Sequence, residues 1–131
     1  MAGYVTNIEK LSLANNDFRR VLFTDPNTQL VLMALKPGED IGLETHDHVD
    51  QFFRVEAGRG TAILNGKKHD LDNGSAVVVP AGTQHNIVNA SKTDPLKLYT
   101  IYSPPQHPDG TIHKTKADAM KGEAKERLQP H

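Results

Sequence analysis

The feature that most restricts the fold of this chain is the way turn residues cut it into short β-type runs. QLVLMAL (Gln29–Leu35) is closed by Lys36-Pro37-Gly38, and QFFRVEA (51–57) by Gly58-Arg59-Gly60. TAILNGKKHDL places Asn65-Gly66 between two runs, the strongest short-range signal for a two-residue hairpin turn. Asp72-Asn73-Gly74 leads into SAVVVP, Pro80-Ala81-Gly82 ends that run, and HNIVN and KLYTIY supply two more. Short runs at this spacing, with no sustained helical period, predict an all-β sandwich or barrel from Tyr4 to Tyr102.

The tail changes character. Ser103-Pro104-Pro105-Gln106-His107-Pro108-Asp109-Gly110 is too rich in proline for a central strand. Thr115-Lys116-Ala117-Asp118 then resembles a capping box with Asp in place of Glu. It predicts a short peripheral helix with Ala117, Met120, Ala124 and Leu128 on one side, weakened by Gly122 and too short to stand alone. A length of 131 residues makes one domain over 1–131 the expectation, with 103–131 as loop and helix.

Charge and composition narrow the partners. Fifteen basic residues balance sixteen acidic ones, so no basic field exists to attract nucleic acid or anionic lipid. The absence of cysteine excludes disulfides, thiolate metal sites and thiol nucleophiles. No apolar stretch approaches the roughly 20 residues needed to cross a bilayer, and no basic region followed by an apolar run opens the chain. The expectation is a cytoplasmic protein with a small-molecule ligand and no membrane or nucleic-acid partner. Seven histidines are the one oddity, because imidazole is both proton carrier and common metal ligand. Within GLETHDHVDQFF (42–53), Glu44, His46, Asp47, His48, Asp50 and Gln51 crowd together as in a metal site.

At Gly74 the pattern becomes specific. Gly74, Pro80, Gly82, His85 and Asn89 reproduce G-x5-P-x-G-x2-H-x3-N, and the chain here resembles the second motif of the cupin family. The first cupin motif, G-x5-H-x-H-x3,4-E-x6-G, fits when Gly38, Glu44, His46, Gln51 and Gly58 fill its fixed places. Glu44 then replaces the first His, and Gln51 replaces the Glu. Strand alternation supports that frame, since residues two apart share a face. Pairing His46 and His48 with the family's H-x-H leaves too few residues before Gln51.

The resemblance implies a cupin double-stranded β-helix, or jelly-roll barrel, over 29–102, with metal ligands Glu44, His46, Gln51 and His85. Such a shell keeps one negative charge and suits one divalent transition metal ion: Fe, Mn, Ni or Zn. By the same alternation His48 shares the face of His46, as an alternative ligand or proton carrier. Asp47 and Asp50 have the opposite parity and should be exposed. Phe53, Val55 and Ile87 should line a small pocket, with one of Tyr99 and Tyr102. Phe52 and Arg54 should face away, and an exposed Phe there fits the homodimers of the family. Asn89 reads as a backbone-bonding turn residue, His69 as solvated, and His107 and His113 as surface residues flanking a loop. The implied function is a metal-dependent enzyme, oxidoreductase or isomerase, with dioxygenase-like or Lewis-acid chemistry on a small oxygen-bearing molecule. The alternatives are an isomerase-type cupin acting on sugars or uronates, and a non-catalytic small-molecule-binding domain.

Overall fold

A computed structural model describes residues 2–128 of the protein. In chain order these form α1 (Ile8–Ala14), β1 (Arg19–Thr24), β2 (Gln29–Leu35), β3 (Asp50–Ala57), β4 (Gly60–Leu64) and β5 (Lys67–Leu71). β6 (Ala76–Val79), β7 (His85–Asn89), β8 (Leu96–Ser103), β9 (Ile112–His113) and α2 (Lys116–Leu128) follow. One sheet runs β6-β3-β8-β2-β1-β9 and the other β5-β4-β7, all pairs antiparallel. The architecture is an all-β barrel with a C-terminal helix, as the sequence leads one to expect. Asn65 and Gly66 both have positive φ, 47° and 82°, as a type I′ hairpin requires.

β8 lies at the centre of the larger sheet and sets the inside. Leu96, Leu98, Thr100 and Tyr102 point inward and are buried, alternating with Lys97, Tyr99 and Ile101. They meet Val31, Met33 and Leu35 of β2 and Phe53 and Val55 of β3, with Ala62 and Ile87 arriving from the smaller sheet. After Gln29, β2 is apolar without a break because its other face is covered too. Leu32 is buried, and α1 packs against β2, β3 and β8. Buried Lys97 holds that layer down, donating to the Asn15 carbonyl and, at 2.9 Å, to Asn16 Oδ1.

Two helical expectations need correction. The stretch from Tyr4 reads as β-type, but it contains α1, capped by Asn7, whose Oδ1 accepts from the Lys10 backbone N–H at 3.0 Å. Seven residues give too little period to be seen, and docking on the sheet supplies the stability that the sequence lacks. In α2 the capping residue is Thr115, whose Oγ1 accepts from Asp118 N at 3.1 Å, but the buried face differs from the expected one. Ala119 is buried while Met120 is exposed, and the side chain of Leu128 lies outside the described residues. The helix is turned by polar anchors: Lys116 pairs with Asp40, and Glu123 with Arg19.

Gly58, the last fixed glycine of the first motif, is needed twice over. Its φ is +104°, and a Cβ there would lie 2.6 Å from the Pro95 carbonyl oxygen. The turn between β3 and β4 can therefore nest against the start of β8.

Candidate metal centre

The segment between β2 and β3 reaches the smaller sheet through a two-bond antiparallel bridge. Glu44 N donates to the His85 carbonyl at 2.9 Å, and His85 N to the Glu44 carbonyl at 2.8 Å. Residues paired in this way place their side chains on one face. His46, two residues on, joins them, and its carbonyl accepts from Gly82 N at 2.8 Å, fixing the segment to the turn of the second motif. One ligand atom from each of Glu44, His46 and His85 lies within 4.8 Å of the others. The two imidazole rings are 5.5 Å apart, and His46 Nε2 sits 3.0 Å from Glu44 Oε2.

Two buried atoms make this arrangement fit a cation. His85 Nδ1 is 2.9 Å from the Thr83 carbonyl, which can only accept, so Nδ1 carries the proton. Nε2 of the neutral ring then presents a lone pair, buried and without a protein partner. Gln51 points inward from β3, and its Nε2 donates to Thr100 Oγ1 at 3.0 Å. That bond turns the amide so that Oε1 is also buried and unpartnered. Unmet acceptors are costly inside a protein, and a divalent ion held by Glu44, His46 and His85 would satisfy the His85 nitrogen. The cluster offers two imidazoles and one carboxylate, which suit such an ion.

Phe53, Val55 and Ile87 are fully buried on the inner faces, and Phe53 lies 6.2 Å from the His85 ring centroid. Of the two tyrosines, Tyr102 is interior and edge-on to His46 at 6.2 Å. Tyr99 is not part of the interior. It faces outward beside Phe52, ring centroids 6.3 Å apart, because β8 alternates with Tyr102 inside. His48 is exposed and outside the cluster, contrary to the parity expectation. The chain bends at Asp47-His48, so strand alternation does not carry past His46. Asp47 and Asp50 are exposed; Asp50 Oδ1 accepts from Ala81 N at 2.8 Å. Asn89 donates to the carbonyls of Leu35, Lys36 and Asp94, the backbone-bonding role its place in the motif suggests.

The interior holds polar residues that local sequence patterns do not reveal. His107 is buried rather than on the surface. Its Nε2 lies 3.3 Å from the Tyr102 phenol oxygen, and its Nδ1 has no partner. Gln29 puts it there: Nε2 donates to the His107 carbonyl at 2.7 Å, and Oε1 accepts from the N–H groups of Gln106 and His107 at 3.1 and 3.0 Å. Burial drives the His107 pKa down to about 3, helped by Arg19, His113 and His46. Burial likewise pushes the Tyr102 phenol up to about 12, against the opposing pull of the Arg19 guanidinium. Both groups are neutral at physiological pH. Arg19 itself is buried, with Nη1 3.0 Å from Glu123 Oε1. In sequence it is one of two adjacent arginines at a strand start, and only the pairing with β2 and β9 sends it inward.

Comparison with known proteins bears on the family and the fold. The chain is 51% identical over 126 residues to the uncharacterized protein YrkC of Bacillus subtilis, covering 92% of this chain and 67% of that one. It is 54% identical over 114 residues to the uncharacterized protein L612 of Acanthamoeba polyphaga mimivirus, covering 83% and 70%. Among solved structures, BH2720 of Bacillus halodurans superposes with a TM-score of 0.89 at 47% identity, over 92% of this chain and 95% of that one. A family model described as the cupin domain matches residues 31–102, and the chain belongs to the cupin family.

Proposed function

We propose that this protein is a metal-dependent enzyme acting on a small oxygen-bearing molecule, with Glu44, His46, Gln51 and His85 as the metal ligands. The observation that carries the reading is the cluster of Glu44, His46 and His85, in which His85 Nε2 is a buried acceptor without a protein partner; the buried, unpartnered Gln51 Oε1 supports a fourth ligand. A bound divalent ion would supply Lewis acidity, or redox chemistry if it is iron or manganese. The chain supplies the rest. Thr100 and the Thr83 carbonyl orient two ligands, Phe53 and Ile87 exclude water, and the Tyr102 phenol offers a hydrogen bond to a substrate oxygen. The outward face of the larger sheet carries Phe52, Tyr99 and Ile101, with Val78 66% exposed at its edge. That apolar surface supports a homodimer. A cytoplasmic location belongs to the same reading.

Elemental analysis of the purified protein tests the reading. About one transition metal ion per chain is expected, lost in Glu44→Ala and His85→Ala and retained in His48→Ala. Loss in His48→Ala instead would transfer the ligand role to that residue. Absence of metal under every loading condition would leave a non-catalytic small-molecule-binding domain.

A further inference from the structure

At the other end of β8 from the metal centre, the surface opens into a cavity that the proposed function does not use. Its volume is about 230 Å³, and none of the four metal ligands lines it. Lys97 stands there opposite Ala57, whereas Gln51 faces Tyr102 at the far end of the strand, about 17 Å away at the usual rise per residue. Phe18, Leu35, Pro37 and Pro95 form an apolar wall. Lys36, Lys97, Lys114 and Lys116 surround it with one carboxylate, Glu39. With Lys116 answered by Asp40 and a second lysine offset by Glu39, two positive charges remain in excess. Lys97 is only 8% exposed, and its ammonium donates to the Asn15 carbonyl and, at 2.9 Å, to Asn16 Oδ1, both neutral. The third N–H and the charge itself have no partner among the described residues. Burial without a counter-charge pulls the Lys97 pKa below the usual lysine range. Buried charges are normally paired, and here the space beside the charge is open.

We propose that this cavity is a second ligand site, which binds a small organic phosphate monoester with its phosphate among Lys36, Lys97 and Lys114 and its apolar group on Phe18 and the two prolines. Ammoniums on flexible stems act as separate point charges and suit a tetrahedral dianion. A planar carboxylate is better matched by an arginine fork, and the described lining holds no arginine. The charge excess equals that of a phosphate monoester above its second pKa of about 6. The volume lies below the roughly 300–1,000 Å³ of drug-sized sites, so the organic group is compact. Two of the lysines have side chains to spare, because they hold the fold through their backbone. The Lys36 carbonyl accepts from Asn89 Nδ2 at 3.1 Å, and the Lys114 carbonyl from Phe18 N at 3.1 Å. Nothing in this site depends on a bound metal.

Phenyl phosphate tests the site by calorimetric titration of the full chain at about pH 8 and low salt, with inorganic phosphate, benzoate and phenol as comparisons. Phenyl phosphate should bind, inorganic phosphate and benzoate at least about tenfold more weakly, and phenol not detectably. Lys36→Gln and Lys114→Gln should each weaken phenyl phosphate several-fold and leave the Tm of the free protein unchanged. Lys97→Met should abolish binding. If that variant does not fold, the two glutamine variants decide. His85→Ala should bind phenyl phosphate as the native chain does, which separates this cavity from the metal centre. No binding of phenyl phosphate, equal binding of inorganic phosphate or benzoate, or an affinity indifferent to Lys36 and Lys114 would each overturn the proposal and leave Lys97 as a fastening for the end of α1. Binding lost in His85→Ala and kept in Lys114→Gln would also overturn it, and would place the phosphate at the metal centre. Failure to load metal would sink the enzyme reading and leave the predictions for this cavity as they stand.

Discussion

Gln29 is a fully buried amide whose hydrogen-bonding capacity is almost spent on one loop and one threonine. It donates to Thr24 Oγ1 at 3.0 Å and to the His107 carbonyl, and accepts from two N–H groups of the proline-rich segment. Gln29→Leu should cost about 3 kcal/mol, because those buried partners are left unmet while the gained apolar contact is small. Urea unfolding measures the loss. Residues of this kind separate what was legible from what was not. His85 and Gln51 could be placed because motif spacing and strand alternation are local. Arg19 and His107 could not, because their burial depends on a tail that returns to the barrel some 90 residues after Arg19.

β2 was readable residue for residue, since a seven-residue run that is apolar after its first glutamine, set between turn signals, has few other homes. α2 was readable in its start and not in its face, and the reason is its mode of attachment. It buries Ala119, while Lys116 reaches Asp40 and Glu123 reaches Arg19, so polar pairs rather than an apolar stripe choose the rotation. Gly122 belongs to the same logic. A Cβ there would lie 2.6 Å from His113 Nε2, and that ring is itself held beside Arg19. In an ordinary helix interior, Gly→Ala gains about 1 kcal/mol. Here Gly122→Ala should lose stability instead, because the imidazole must leave its place. In a His113→Ala background the sign should reverse to the ordinary gain. A double-mutant cycle on thermal unfolding checks this, and a stabilising Gly122→Ala in the native background would show that His113 yields freely.

Across the molecule the shifted acid-range groups all pull one way. Asp40 is held below its usual range by the Lys116 hydrogen bond, and burial lowers His113 and His107. In each case the unfolded chain binds a proton more readily than the folded one, so stability is full above the unfolded pKa and falls as pH drops. The windows differ. His107 acts from its unfolded value of 6.5 down to about 3, whereas Asp40 acts only below 3.8. Between neutral pH and about pH 5, His107 alone should remove about 2 kcal/mol, at about 1.4 kcal/mol per pH unit once the unfolded imidazole is charged. Arg19, His113 and His46 all bear on the same ring and all disfavour its charging, so no neighbour offsets this loss. His107→Asn should be less stable than the native chain at neutral pH, from lost packing against Tyr102. The gap should narrow as pH falls, because the variant has no imidazole to charge. Urea midpoints of both metal-free proteins across this range provide the measurement. Parallel pH profiles would mean that His107 charges as easily folded as unfolded, and that the barrel interior around Tyr102 is open to water.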